Sequence, residues 1–211
     1  MISVFDMFSI GIGPSSSHTV GPMRAAKAFC GELSEQDLFD STDEIKVELF
    51  GSLGQTGKGH GTGKAVILGL LGYAPETIDS TMVETLLEKV RNCQKLSLDD
   101  KKPIKFPALN AIVFHRRKSL SEHPNGMTFH AMNKKSVITS QTYFSIGGGF
   151  IIRQQDFAKR KVAALIHEEQ PVPYDFSSAK KLLELSKEHG LRISSLMMKN
   201  EEVFQPKEEI I

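Results

Sequence analysis

Residues 11–22, "GIGPSSSHTVGP", restrict the fold more than any other stretch of the chain. Pro14 and Pro22 fix the backbone, Gly11, Gly13 and Gly21 free it, and the polar run between them cannot enter a core. Such a segment is a shaped loop, and Pro22 suits the first turn of a helix that follows it. Ala25, Ala26, Ala28, Phe29 and Leu33 then recur at helical spacing, so the loop opens a buried helix. The ten residues before it read as a short buried strand or helix leading in.

The rest of the chain mixes helix and strand signals. "EIKVELFGS" (44–52) alternates Ile45, Val47 and Leu49 with charged neighbours, a half-buried strand ending in a glycine turn. "LGQTGKGHGTGK" reads as a glycine-rich loop running into an apolar helix from about Gly63 to Leu71. Residues 79–96 form a capped amphipathic helix, with Ser80 or Thr81 as N-cap and Glu84 supplying capping-box chemistry. Strands are expected at about 109–115, 127–132 and 136–144, the last running on to a triple glycine. The fold class is therefore α/β (α+β), a mixed sheet flanked by helices, over residues 1–152. Residues 153–176 look like a linker with room for a short helix. Residues 177–211 carry a serine-capped helix stopped by Gly190, then a second with Met197 and Met198 in its core. They read as the start of an incomplete all-α domain.

Composition removes several function classes. The 211 residues carry 26 basic and 25 acidic side chains, and "HRRK" at 115–118 is too short for a nucleic-acid footprint. No apolar run reaches the ~18 residues of a membrane span, and the acidic N-terminus is no signal peptide. Cys30 and Cys93 make no disulfide framework, which suits the cytoplasm, and two thiols cannot ligate an iron–sulfur cluster.

Chemistry concentrates in loops that join glycine or proline to histidine: "PSSSHT" with His18, "GKGHGTGK" with Lys58, His60 and Lys64, and "EHPNG" with His123 and Asn125. "SIGGGF" (145–150) adds glycines without a titrating group. Glycine admits a ligand close to the main chain, and a loop that opens a helix offers free N–H groups to an anion. Hydroxyls at 15–17 and 19 add donors, and histidine, with an ordinary pKa of ~6.5, suits general-base work. Taken singly, each loop is a cap and a turn; three in one domain point to a site. His115, His130, His167 and His189 lack such surroundings and read as structural. "GKGHGTGK" misses the P-loop pattern because Thr62 stands where glycine is needed. A metal site from His18, His60 and His123 has no ligand spacing behind it.

"SVFDMFSIGIGPSSSHTVGPMRAA", "GSLGQTGKGHGT", "HPNGM" and "YFSIGGGFI" resemble the N-terminal β domain of the iron–sulfur L-serine dehydratases (L-serine ammonia-lyases) of the single-chain bacterial type. "PVPYDFSSAKKLLELSKEHGLRISSLMMKNE" is similar to that family's linker and the first helices of its cluster-carrying α domain. The resemblance implies pyridoxal-independent deamination of L-serine to pyruvate and ammonia, a step of amino-acid catabolism that feeds gluconeogenesis. A [4Fe–4S] cluster with three cysteine ligands would act as Lewis acid, its ligands lying outside this chain and no metal ligand within it. By the same resemblance His60 is the candidate base, with His18 and His123 positioning substrate or shuttling protons. Ser15, Ser16, Ser17, Thr19 and Asn125 would bind the carboxylate and amine. The implied partners are L-serine, the α domain of the same enzyme and a second copy in a homodimer. The chain by itself would be inactive.

One departure stands out: Gly63 replaces the acid of the family's "GHGTD", which removes a carboxylate from the vicinity of His60. An alternative reading is an anion-binding regulatory module, because the domain also resembles the allosteric domain of some D-3-phosphoglycerate dehydrogenases. Three neutral histidines, where an anion module would favour Arg and Lys, argue for the lyase. A Ser–His hydrolase is disfavoured because no nucleophile elbow is present.

Overall fold

The computed structural model describes residues 11–157 and 171–210, which belong to two separate compact units. The segment expected at residues 1–10, the middle of the expected linker (158–170) and His167 lie outside the described residues, while residues 154–157 at the start of that linker are helical.

In the first unit the alternating pattern at 44–49 gives strand β1 (Glu44–Leu49), with Ile45, Val47 and Leu49 fully buried and Lys46 exposed. One edge of β1 pairs in parallel with β3 (Lys102–Lys105) and with β4 (Ile112–Phe114). The other edge pairs antiparallel with β5 (Gly126–Asn133). The sheet then continues through β6 (Ser136–Gly147) to β7 (Phe150–Arg153), and β2 (Lys95–Leu98) closes the far side. The result is a seven-stranded mixed sheet in the order β2-β3-β1-β5-β6-β7, with β4 beside β1.

Helices α1 (Gly21–Glu35) and α3 (Thr62–Leu70) pack on the sheet and on each other. They meet at Gly69, where a Cβ would lie 2.2 Å from the Met23 carbonyl oxygen, so only glycine allows this approach. Between helices and sheet lie Met23, Phe29, Leu33, Leu68, Phe129 and Tyr143. Phe129 stacks on Phe29 at 5.3 Å and meets Tyr143 edge-on at 5.8 Å, and each such side chain contributes roughly 1.5–3 kcal/mol by burial. Tyr143 donates its hydroxyl to Glu32 at 2.8 Å, which satisfies its polar end. Cys30, 1% exposed, belongs to the same core, and burial pushes its thiol up to about 12.

Three local readings change. The helix expected at 79–96 is a 3₁₀ turn, Ser80–Met82, followed by α4 (Val83–Cys93). Its cap is Asp79, whose carboxylate accepts from the Thr81 N–H at 2.8 Å. The chain then turns at Gln94, in left-handed conformation, and Leu96 and Leu98 alternate with Ser97 to make β2. Asp99 and Asp100, both at positive φ, form the tight turn into β3, a hairpin signal weaker than Asn-Gly. Residues 108–111 form the short helix α5 (Ala108–Ala111), so the expected strand begins only at Ile112.

The third change matters most. Residues expected as a glycine-rich loop form a helix, α2 (Gly51–His60), which ends at Gly61 with φ +76° and gives way directly to α3. Helix propensity argues against glycine here, and packing overrides it. A Cβ at Gly54 would lie 2.3 Å from the His115 carbonyl oxygen, and one at Gly57 would lie 2.9 Å from Thr62 Oγ1. The glycines are what let this helix lie against the chain that follows β4.

In the second unit Ser178 caps helix α6 (Ala179–Glu188) by accepting from the Lys181 N–H, and Gly190, at φ +61°, ends it. Helix α7 (Ile193–Glu201) buries Leu196 and Asn200, while Met197 and Met198 are half-buried. Asn200 fixes residue 174 through both backbone groups, donating to the Tyr174 carbonyl at 2.8 Å and accepting from its N–H at 2.9 Å. His189 packs edge-on against Tyr174, a structural role. A short helix, α8 (Lys207–Ile210), ends the described chain.

Candidate active site

The opening loop enters its helix through a π-turn, Ser16–Val20, whose wider hydrogen bond runs from the Gly21 N–H to the Ser16 carbonyl. Single π-turns inside helices recur at functional sites. The turn directs His18 toward α2. Its Nδ1 lies 3.0 Å from Ser17 Oγ and 3.4 Å from Ser15 Oγ. Its Nε2 lies 3.1 Å from Ser52 Oγ and 3.0 Å from Thr56 Oγ1. The His18 carbonyl accepts from Thr62 Oγ1 at 2.7 Å, so the loop is tied to both α2 and α3. Hydroxyls rotate to suit either neutral tautomer, and this ring is fully satisfied without a charge.

His60 stands against it, with ring centroids 4.7 Å apart and planes tilted by 39°. Its Nδ1 lies 3.0 Å from the Thr56 carbonyl oxygen. A carbonyl only accepts, so Nδ1 carries the proton and the neutral ring keeps its lone pair on Nε2. Ser52, Thr56 and His60 are four residues apart in turn and line one face of α2. Sequence reasoning missed Ser52, Thr56 and Thr62. The i, i+4, i+8 spacing that would have found the first two is informative only once the glycine run is read as a helix.

The third loop joins the same helix through its backbone. The Ser52 N–H donates to the Pro124 carbonyl at 2.8 Å, and the Gly51 N–H donates to the Lys118 carbonyl at 2.8 Å. His123 Nδ1 accepts from the Asn125 N–H at 3.1 Å, which leaves the proton of its neutral form on Nε2. Asn125 ties the loop to β6, its Nδ2 donating to the Ser145 carbonyl at 3.1 Å. Of the remaining predicted residues, Ser15 and Ser17 border His18 directly, while Thr19 donates its hydroxyl to the Ser15 carbonyl at 2.6 Å and braces the turn. Ser16 supplies the carbonyl of the π-turn. Ser145 packs so close to Gly21 that a Cβ there would lie 2.1 Å from its Oγ. Among the described residues that buried oxygen has no hydrogen-bond partner.

Burial first, and the charge of His60 second, hold the His18 imidazole below its ordinary value, against a hydrogen bond at Ser52 that raises it. An unfolded chain protonates this ring near pH ~6.5 while the folded chain does so only lower, so the unfolded state gains protons first as pH falls. Stability from this group is complete above about pH 6.5 and declines below it. Denaturant midpoints are expected to fall as pH drops through that window, and to fall less steeply in His18→Gln. Equal slopes in both proteins would assign the effect to another group.

Gly63 does not face His60. A Cβ there would start 3.4 Å from the Phe114 ring and 3.7 Å from Ile112. A side chain at this position would start over those two residues rather than over the histidine pair.

His115 and His130 have a separate, structural task. Both donate from Nε2 to Glu48, at 2.6 Å and 2.9 Å, joining β1 to the residue that follows β4 and to the middle of β5. Burial raises Glu48, but these two hydrogen bonds outweigh it and hold the carboxyl below its usual range.

A [4Fe–4S] cluster does not fit the residues of this chain. Cys30 is sealed in the core, Cys93 is exposed at the end of α4, and the sequence has no third cysteine. Among the described residues no group of three His, Cys, Asp or Glu side chains is arranged to hold a metal ion. Nor, among those residues, is any helix long and apolar enough to cross a membrane.

Comparison with known proteins gives this arrangement a setting. The chain is 44% identical over 210 residues to an L-serine dehydratase of Streptomyces coelicolor, covering 99% of this chain and 46% of that protein. It is 44% identical over 211 residues to L-serine dehydratase 1 of Escherichia coli, covering 100% and 45%. An L-serine dehydratase of Helicobacter pylori is 36% identical over 204 residues, covering 96% and 44%. The chain thus spans less than half the length of the relatives it matches. Residues 3–156 match the family described as serine dehydratase beta chain. That match covers the whole π-turn with His18, helix α2 with His60 and the sheet behind them, and the chain belongs to this family.

Proposed function

We propose that this chain supplies the base and the substrate-orienting groups of an L-serine ammonia-lyase, which converts L-serine to pyruvate and ammonia. The observation that carries this reading is the bond from His60 Nδ1–H to the Thr56 carbonyl, which keeps the Nε2 lone pair available. His60 Nε2 takes the α-proton of serine, and the β-hydroxyl departs, giving aminoacrylate and, in net, one water. Tautomerisation to the imine and hydrolysis by one water release ammonia and leave pyruvate, so the atoms balance.

His18, whose burial among four hydroxyls favours the neutral ring, orients the loop and so spares His60 a charged neighbour. His123, with its neutral-form proton on Nε2, is a donor suited to a substrate oxygen. Ser15, Ser16 and Ser17 sit at the opening of the helix, where hydroxyls and unpaired N–H groups receive a carboxylate. Thr19 and Asn125 act through the loops they brace. A [4Fe–4S] cluster belongs to the same reading, as do an α domain bearing its ligands, a second copy of the protein and a cytoplasmic setting. Support for these comes from the family alone.

Two measurements test the reading. A chimera in which this chain replaces the matched residues of the Escherichia coli enzyme, assembled without oxygen, is expected to form pyruvate from L-serine. The 211-residue chain by itself is expected to form none. An inactive, folded and cluster-loaded chimera overturns the assignment, and pyruvate from the isolated chain overturns the division of labour.

A further inference from the structure

We infer that a groove beside α2 binds a small organic anion, a carboxylate or phosphate head carried on a flat apolar body. The groove measures about 250 Å³ and is lined by Lys58, Ala108, Ile112, Phe114 and Arg116. Lys58 is two residues from both Thr56 and His60, about 200° around the helix, so it is turned away from the histidine pair. The groove is therefore distinct from the site assigned to serine.

Its chemistry is two-sided. Lys58 Nζ lies 5.5 Å from the centre of the Phe114 ring. Neither Lys58 nor Arg116 is ion-paired to a carboxylate among the described residues, whereas Arg24, Lys64, Lys101 and Arg153 all are. Two unneutralised cations thus border an apolar floor in a chain whose overall charge is only +1. Arginine offers a planar fork that matches carboxylate or phosphate, and lysine adds a point charge.

Glycine keeps the floor open. A Cβ at Gly57 would lie 3.2 Å from the Phe114 ring and one at Gly63 would lie 3.4 Å from it, so neither position covers the ring. A volume below the ~300 Å³ of typical drug-sized pockets fits a single ring with one anionic substituent. Lone inorganic anions would leave the apolar floor wet, and neutral rings would leave both cations unpaired.

Phenyl phosphate, benzoate, inorganic phosphate and benzyl alcohol, titrated into the 211-residue chain by calorimetry and amide chemical shifts, test this. One or both organic anions are expected to bind with shifts centred on Lys58 and Arg116, the tighter one identifying the head group. Inorganic phosphate and benzyl alcohol are each expected to bind at least about tenfold more weakly, as is the organic anion to the double variant Lys58→Gln/Arg116→Gln. Both substitutions are at exposed positions, and Lys58 gives up only its 5.5 Å approach to the Phe114 ring. Gly63→Asp is expected to weaken binding by placing a carboxylate over the floor, and the similarly sized Gly63→Asn to weaken it less. Absence of organic-anion binding, unchanged binding in the double variant, or equal losses in Gly63→Asp and Gly63→Asn would each overturn the site.

Discussion

In the active chimera, His60→Gln is expected to lower kcat for L-serine by about 10²–10⁴-fold, the usual contribution of a general base, with KM changed by only a few fold. The expectation rests on the tautomer. Because Nδ1–H is committed to the Thr56 carbonyl, Nε2 is the basic atom in every neutral His60, and glutamine offers no equivalent base. The acid limb of the kcat/KM profile should disappear with it, which a merely structural role would not produce. Thr56→Val separates the two duties of that residue. It keeps the carbonyl that fixes His60 and removes only the hydroxyl facing His18, so its loss should be about tenfold or less, the scale of one neutral hydrogen bond. Near-normal turnover in His60→Gln, in a chimera that folds and holds its cluster, would remove His60 from the base role.

The parts of this site that were legible in sequence were those where local chemistry and global packing agree. Pro22 and the small residues behind it specify α1 locally, and the alternation at 45–49 specifies β1, so both stand as expected. His18, His60 and their loops were visible because polar residues between glycines have few structural uses. The glycine helix α2 was not visible, because its stability comes from a close approach to residues 115 and 124, more than fifty positions away. Ser52 and Thr56 were hidden by that same error, since their spacing to His60 means nothing in a loop. The β2–β3 hairpin escaped because its turn uses Asp99 and Asp100 in left-handed conformation, without the glycine that announces such turns. Gly63 shows the reverse case. Its departure from the resemblance pointed to His60, and only the direction of its Cβ places it over Phe114.

The two ends of α2 allow a sharper test of why glycine is there. Gly51 and Gly61 both have positive φ, at 55° and 76°, so alanine at either carries the left-handed penalty of about 1–2 kcal/mol. They differ in space. At Gly61 nothing lies within 4 Å of a Cβ, whereas at Gly51 a Cβ would lie 2.1 Å from the Pro124 carbonyl oxygen and 3.0 Å from its carbon. That oxygen cannot move aside alone, because it accepts from the Ser52 N–H at 2.8 Å. Gly51→Ala must therefore push the 118–125 loop off the helix, losing buried backbone bonds at about 1–3 kcal/mol each in addition to the strain. At roughly 2–4 °C per kcal/mol for a protein of this size, Gly61→Ala should lower Tm by about 2–8 °C and Gly51→Ala by about twice that or more. Gly51→Ala should also lower turnover in the chimera, since the displaced loop carries His123, while Gly61→Ala leaves that loop in place. Equal drops in Tm would mean that the loop yields freely, and that α2 and His123 are not held as one unit.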